Sequence, residues 1–161
     1  MNILETYLKK IQDLIIANCN SLKIESDISF SGSVVETPPQ EINFDLSSNI
    51  ALVLAKQTKQ PPAKLAESLK KLILENLDDF SEITIAGPGF INFKFTMKMY
   101  QKLIISILES NKKYGSNNKS ETYNIEFVSA NPTGPMHVGH SRGAIFGDVL
   151  ANLLIFNGNN V

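Results

Sequence analysis

Two histidines that lie three residues apart are the side chains of this sequence best suited to chemistry. His137 and His140 are the only histidines in the chain, and they follow a polar stretch, 129–135, that contains Asn, Pro and Gly. A short apolar run, 125–128, precedes that stretch, and a long apolar-periodic segment follows it. This order predicts a strand, a loop and a helix. Residues three apart in the first turn of a helix lie on one face, so both imidazoles can point at one object just outside the helix end. Such a helix start offers unpaired N–H groups and a positive dipole end to an anion, usually a phosphate.

Three glycines form one ridge of the predicted helix. Gly139, Gly143 and Gly147 recur at intervals of four residues. Each glycine costs about 1 kcal/mol relative to alanine inside a helix, so the row needs an offsetting reason. The close approach of a strand or of a flat ligand would supply it. The alternative is that the glycines only permit helix–sheet packing and that the histidines only cap the helix.

The residues around the histidines resemble a known family. Residues 137–140, His-Val-Gly-His, are similar to the HIGH signature of class I aminoacyl-tRNA synthetases, with valine in place of isoleucine. Because other nucleotidyltransferases carry H-x-G-H at the same junction, these four residues are weakly specific. The longer string 126–144, EFVSANPTGPMHVGHSRGA, resembles arginyl-tRNA synthetases in particular. Segments 43–56 and 86–93 are similar to the additional N-terminal domain of that family.

The resemblance implies a ligase reaction with arginine, ATP and tRNA(Arg) as partners. Arginine is first joined to the α-phosphate of ATP and then transferred to the terminal adenosine of the tRNA. The first step needs alignment and charge stabilisation rather than a protein nucleophile. The family implies that His137 and His140 are catalytic donors to phosphate oxygens, and that Gly139 leaves room for the adenosine, so that these three residues bind ATP.

The turn before the histidines is the predicted arginine-binding site. The resemblance assigns this role to Asn131, with Ser129 beside it. Glu126 is an acid in an otherwise apolar predicted strand, where an unpaired carboxylate would be costly. A guanidinium can satisfy a carboxylate with two parallel hydrogen bonds, so a substrate arginine would meet that need. The alternative is an internal ion pair between Glu126 and Arg142.

A hairpin upstream is the predicted tRNA-binding surface. Strands are expected at 83–85 and 90–96, joined by the turn 87–89. Side chains alternate between the two faces of the second strand. The set expected in the core is Ile91, Phe93 and Phe95. The set expected on an open face is Phe90, Asn92 and Lys94. The second set could stack on a base, read its edge and meet a phosphate. The resemblance implies recognition of a D-loop base by the aromatic and amide positions. Alternatively, Phe90 packs under a loop and the polar pair is only solvated.

Composition sets limits on these predictions. The chain has 161 residues, a formal net charge of -1 and 43% hydrophobic residues, which is typical of a globular protein. That charge does not indicate a general nucleic-acid binder, so contacts with RNA would be local or would lie on parts of the parent outside this sequence. The single cysteine, Cys19, suits a reducing compartment, and the sequence contains no apolar run of membrane-spanning length. We therefore predict a cytoplasmic protein. The resemblance implies a monomeric parent without a protein-bound metal, in which Mg²⁺ accompanies ATP.

The predicted organisation is an α+β domain followed by the start of a second domain. The first domain, 1–112, combines an antiparallel sheet with helices, which are listed by their expected extents: 1–18, from about 50 to 58, 62–77 and 97–110. Asp45, Ser47 or Ser48 can cap the second of these helices, and Thr96 can cap the last. The last helix is expected to bury one face, which consists of Tyr100, Leu103, Ile104, Ile107 and Leu108. A further strand is possible at 22–30, and an edge strand is expected within 30–37. A polar linker, 113–122, leads to 123–161, which is predicted to be the first strand and helix of a Rossmann-like nucleotide-binding domain.

Three functional hypotheses follow from the sequence. The first is an N-terminal piece of an arginyl-tRNA synthetase that is inactive by itself, because one strand and one helix cannot complete a parallel sheet. The second is another H-x-G-H nucleotidyltransferase, which would have no use for an RNA-reading hairpin. The third is a non-catalytic tRNA-binding module that retains the signature.

Overall fold

The chain folds as two units, residues 2–109 and 110–161. The structure, a computed structural model, describes residues 2–25, 27–117 and 120–161. Ser26, in the possible strand 22–30, and residues 118 and 119 of the predicted linker therefore lie outside the described residues.

The helices of the first unit begin where the sequence supplies local start signals. The Asn2 side chain accepts a hydrogen bond from the Leu4 N–H at 3.1 Å, which caps the first helix. Pro62 occupies the first turn of the fourth helix, where its missing N–H has no cost. The Thr96 hydroxyl accepts from the Met99 N–H and starts the fifth, as predicted. The helices are α1 (Ile3–Ala17), α2 (Cys19–Leu22), α3 (Ile50–Thr58), α4 (Pro62–Asn76) and α5 (Met97–Ser110).

A four-stranded antiparallel sheet supports these helices. Its strands are β1 (Val35–Glu36), β2 (Leu46–Ser48), β3 (Phe80–Ala86) and β4 (Phe90–Phe95), in the order β1-β2-β4-β3. The predicted hairpin is confirmed as β3 and β4, and its turn contains Gly87 and Gly89 at positive φ. The predicted edge strand is β1, which ends shortly before Pro38 and Pro39.

The core lies where one face of β4 meets the helices. Ile91 and Phe93 are fully buried and Phe95 is 7% exposed, so the inward set of the hairpin is confirmed. The Phe80, Phe93, Phe95 and Tyr7 rings pack together, with centroids 4.9 to 5.5 Å apart in the closest pairs. Buried residues of three helices complete this core: Tyr7, Ile11, Ile15, Ile50, Leu54, Leu65, Leu69 and Ile73.

Residues 45–48 form a strand junction rather than the helix cap expected of Asp45, Ser47 or Ser48. Leu46–Ser48 pair with residues 91–93 of β4, and Asp45 also bonds to β4 through its backbone and its carboxylate. The three residues of β2 are too few to show an alternating pattern, and the strand with which they pair, β4, lies more than forty residues away in the sequence. Local patterns therefore missed β2. Ser48 still contributes to the helix start, because its hydroxyl accepts a hydrogen bond from the Ile50 N–H.

Two further expectations for this unit are wrong. No strand forms in the described part of 22–30, where Lys23 adopts a left-handed conformation after α2 and interrupts extended structure. The inner face expected for α5, Tyr100, Leu103, Ile104, Ile107 and Leu108, is not buried. Ile104 and Leu108 are 56% and 72% exposed, because no described element covers them.

The second unit contains one long helix. This helix, α6 (Val138–Phe156), is preceded by a short 3-10 turn at Asn111–Lys113. Thr122 forms an isolated parallel bridge with Asn160, and the Tyr123 N–H donates to the Asn160 carbonyl at 2.8 Å. The predicted strand at 125–128 is not formed, because the described residues offer it no ladder partner. None of the described helices is long and apolar enough to cross a membrane.

Candidate functional site

The two histidines build the N-terminus of α6. His137 is the N-cap, and its Nδ1 accepts a hydrogen bond from the Gly139 N–H at 3.1 Å. His140 Nδ1 lies 3.4 Å from the His137 N–H and completes a reciprocal capping box. Both imidazoles thus use Nδ1 as an acceptor from the backbone. In a neutral ring that assignment leaves the proton on Nε2, which is free to donate to another group.

The imidazole rings lie face to face. Their centroids are 3.8 Å apart and the ring planes are inclined by 25°. His137 is exposed and His140 is half-buried, so both remain accessible beside the positive end of the helix dipole. This geometry is compatible with the prediction that both imidazoles point at one object just outside the helix end.

The glycine ridge has different roles along its length. A Cβ added to Gly147 would lie 2.2 Å from Phe127 Cγ, which shows that this glycine permits close packing of 123–128 on the helix. A Cβ at Gly139 would come within 3.0 Å of the His137 ring. A Cβ at Gly143 would meet nothing within 4 Å. Close chain packing therefore explains Gly147, ring placement explains Gly139, and Gly143 faces open space.

Glu126 and Ser129 come together in the turn before the helix. The Ser129 hydroxyl donates a hydrogen bond to the Glu126 carboxylate. Glu126 is exposed rather than enclosed in an apolar strand, because no neighbouring strand covers it. In the part of the chain that the structure describes, no ion pair joins it to Arg142. Asn131 is also exposed, so these three predicted arginine ligands border one open turn.

The backbone of that turn is strained at one position. Val128 has φ of +62°, a left-handed conformation that is a true outlier for a β-branched residue. Its carbonyl accepts from the Ala130 N–H at 2.8 Å. The sharp reversal that results places Ser129 against Glu126.

The hairpin presents a second group of predicted site residues. Phe90 is 37% exposed and Lys94 is half-buried, but Asn92 is only 4% exposed. Ser47 and Thr84 flank Asn92 on the neighbouring strands, and this explains its burial on a face that was expected to be open. The Asn92 amide forms no hydrogen bond with a described residue. Because every fully buried polar side-chain atom in the described part has a partner, this amide must reach the surface.

A cavity of about 420 Å³ adjoins Phe90 in the first unit. Its lining comes from β4, from α3 and from the loop before β1: Ser31, Gly32, Asn49, Leu52, Val53, Lys56, Gln57 and Phe90. Apart from Phe90, none of these residues was predicted to belong to a site. The segment 43–56, which carried part of the family resemblance, could have pointed to Asn49, Leu52, Val53 and Lys56. Ser31, Gly32 and Gln57 lie outside that segment.

Two family models match the chain. "Arginyl tRNA synthetase N terminal domain" matches residues 9–95, and "tRNA synthetases class I (R), catalytic domain" matches residues 103–161. The first model covers more than half of the 161 residues, and the second contains α6 and the histidines.

Curated relatives align with the whole chain. The arginine–tRNA ligase of Pelagibacter ubique is 46% identical over 163 aligned residues, which cover 100% of this chain and 28% of the relative. The enzyme of the same name from Bartonella henselae is 44% identical, with the same coverage. The chain thus spans little more than a quarter of the length of these relatives.

A solved structure shares the fold. The crystal structure of arginyl-tRNA synthetase from Plasmodium falciparum matches 94% of this chain and 29% of its own, with a TM-score of 0.67 and 21% identity. From these matches, the chain belongs to the arginyl-tRNA synthetase family, whose N-terminal domain accounts for more than half of its length.

Proposed function

We propose that this chain supplies the N-terminal part of an arginine–tRNA ligase, which activates L-arginine with ATP and transfers it to tRNA(Arg). The observation that carries the proposal is the stacked histidine pair at the start of α6, within the segment matched by the class I catalytic model. Mg²⁺ would enter with ATP. We also propose a cytoplasmic, monomeric parent.

The histidines act as hydrogen-bond donors to the phosphates of ATP. Their Nδ1 atoms accept from the backbone, so each Nε2–H can point at oxygens on which charge builds during adenylate formation. The dipole of α6 adds to this stabilisation. Gly139 keeps the helix start free of a side chain, next to the place where the adenosine binds.

The arginine substrate binds at the turn that precedes the helix. Its guanidinium forms a bidentate pair with Glu126, which is exposed and has no ion-pair partner among the described residues. Ser129 holds that carboxylate in place, and Asn131 contacts the remainder of the amino acid.

The second unit is the opening of a Rossmann-like domain that begins near residue 123. Support comes from the parallel bridge between Thr122 and Asn160, which lie on either side of α6. In a βαβ crossover, the strand before a helix pairs in parallel with the strand after it. In this proposal, 1–112 is the tRNA-contacting domain and 113–122 is the linker.

The hairpin binds the tRNA through one D-loop base. Phe90 offers an exposed ring on which a base can stack, the largely buried Asn92 amide has no hydrogen-bond partner among the described residues, and Lys94 carries a positive charge. Such a patch needs few charges, because stacking supplies much of the affinity. It is therefore compatible with a net charge of -1.

A chimera tests the proposed function. Residues 1–161 replace the matching segment of the Pelagibacter ubique arginine–tRNA ligase, and the product is assayed for charging of tRNA(Arg) with labelled arginine. We expect arginine-specific charging by the chimera and none by residues 1–161 alone. A folded chimera that binds ATP but does not charge tRNA would contradict the proposal. The unmodified relative is the positive control.

A further inference from the structure

The cavity beside Phe90 has a wall that is fixed by two side-chain amides. The Gln57 amide accepts from the Ser29 N–H at 2.9 Å and donates to the Ser29 carbonyl at 2.6 Å. The Asn49 amide accepts from the Val34 N–H at 2.8 Å and donates to the Gly32 carbonyl at 3.0 Å. These paired bonds tie both ends of the loop 29–34 to α3. The cavity is therefore largely preformed, and this lowers the ordering cost of binding.

The same bonds determine which polar groups remain for a ligand. Because Asn49 and Gln57 use both their donor and their acceptor atoms on the loop, their amides are already engaged. Lys56 lines the cavity, is exposed, and has no hydrogen bond or ion pair with any described residue. The remaining side chains that face the cavity are mainly apolar, namely Leu52, Val53 and Phe90. The site thus combines apolar walls, one aromatic ring and one available cation.

We propose that this cavity receives the nucleotide that adjoins the base stacked on Phe90, and that Lys56 pairs with its phosphate. The volume of about 420 Å³ lies within the roughly 300–1,000 Å³ common for small-ligand sites. The apolar walls suit the face of an unpaired base, and the ammonium suits a phosphate oxygen. This inference rests on the proposed function and extends the tRNA contact from one nucleotide to two. It gives α3 a direct part in tRNA binding.

Lys56 also lies in the last turn of α3, where a positive charge is favourable to the helix dipole. A purely structural role of that kind would affect stability and leave RNA binding unchanged. The two roles therefore predict different measurements.

The test measures the salt dependence of tRNA binding by residues 1–161. A fluorescent tRNA(Arg) transcript is titrated with the wild type, Lys56→Gln, Phe90→Ala and Lys71→Gln over a range of salt concentrations. Lys71 is an exposed lysine of α4 that does not line the cavity, so its variant is the charge-matched control. Circular dichroism gives the folded fraction of each variant.

We expect Lys56→Gln to weaken binding and to reduce the slope of log affinity against log salt by about 0.7, the contribution of one phosphate contact on a single strand. Phe90→Ala should weaken binding with the slope retained, and Lys71→Gln should match the wild type. If Phe90→Ala weakens binding and Lys56→Gln behaves like Lys71→Gln, the second nucleotide site is wrong and the proposed function stands. If the wild type does not bind the transcript even at low salt, the second nucleotide site and the tRNA contact of the hairpin both fail, while charging by the chimera still decides the proposed function.

Discussion

His137 and His140 show that capping a helix and acting on a phosphate are not exclusive roles. The capping box engages Nδ1 of each ring, while the proposed chemistry needs Nε2. The motif alone suggested a choice between these two functions. The two roles are compatible in the structure, because the cap uses Nδ1 and leaves Nε2 for the contact that we propose with phosphate.

His140→Ala in the chimera should slow the chemical step far more than it weakens ATP binding. A donor aimed at developing charge acts mainly in the transition state, and the loss of one such donor costs about 2.7–4 kcal/mol. Single-turnover charging at saturating ATP measures this effect. His140→Asn keeps a side-chain acceptor for the cap, so full turnover in that variant would assign the histidine to capping alone.

Glu126→Gln in the chimera should raise the KM for arginine and leave the KM for ATP unchanged. The substitution removes the charge that we assign to the substrate guanidinium and retains an acceptor for the Ser129 hydroxyl. Steady-state charging over a range of arginine concentrations measures both constants. An unchanged KM for arginine would show that the carboxylate does not contact the substrate. Ser129→Ala is the control, because it removes the hydroxyl that positions the Glu126 carboxylate and keeps the charge of that carboxylate.

The junction of α1, α5 and the α4–β3 loop is held by one buried carboxylate. Asp79 is 6% exposed and accepts from Tyr7 Oη at 2.9 Å and from Lys10 Nζ at 3.0 Å, with Lys102 Nζ at 3.6 Å. Burial by itself raises the pKa of Asp79, but the hydrogen bonds from Lys10 and Tyr7 and the charges of Lys10 and Lys102 together hold that pKa below its usual value. The same burial and hydrogen bond raise the pKa of the Tyr7 hydroxyl.

Asp79 should therefore make the first unit sensitive to acid. The pKa of an Asp side chain in the unfolded chain is about 3.9, and the pKa of Asp79 in the folded chain is lower. The ionised carboxylate therefore stabilises the fold above the unfolded pKa, and this stabilisation is lost as the pH falls through the folded pKa. We expect Asp79→Asn to lower the free energy of unfolding at neutral pH and to flatten its decline below about pH 4. Urea unfolding between neutral and acidic pH measures both effects.

Asp78 provides the matched control for this prediction. Its side chain is 78% exposed and, among the described residues, pairs with Lys98 alone, at 3.6 Å, so Asp78→Asn should leave the unfolding curve nearly unchanged. Equal pH dependence in Asp79→Asn and the wild type would contradict the assigned role of the buried carboxylate.

The secondary elements that the sequence predicted best are those with long local periodicity. α1, α4 and the hairpin follow from the spacing of apolar residues and from turn residues such as Gly87. β2 could not be predicted this way, because its three residues gain their structure from pairing with β4. The burial of Asn92 has the same origin, since it depends on Ser47 of that unpredicted strand. The apolar residues of α5 and α6 indicated helices correctly, but periodicity does not show what covers them.

The two units carry separate parts of the proposed function. The first unit contains the hairpin, the cavity beside Phe90 and a large core. The second unit contains the histidine pair and the turn that we propose to bind the arginine substrate. The sequence indicated the candidate residues of both sites through strand alternation, through the types and spacing of residues near the histidines, and through the family resemblance. It did not predict Lys56 or the amides of Asn49 and Gln57, because their meeting with Phe90 depends on the tertiary contact between α3, β4 and the loop 29–34.

The central claim is that these two sites do different work in one reaction, and charging kinetics of the chimera over a range of tRNA(Arg) concentrations tests it most directly. Phe90→Ala should raise the KM for tRNA by an amount equivalent to about 1–3 kcal/mol, the value of one stacked base, with kcat unchanged. Phe93→Ala, at a fully buried position three residues further along β4, is the control for loss of folding. If Phe90→Ala instead lowers kcat at saturating tRNA, or unfolds the chain as Phe93→Ala is expected to do, the hairpin is not a separate tRNA-binding surface.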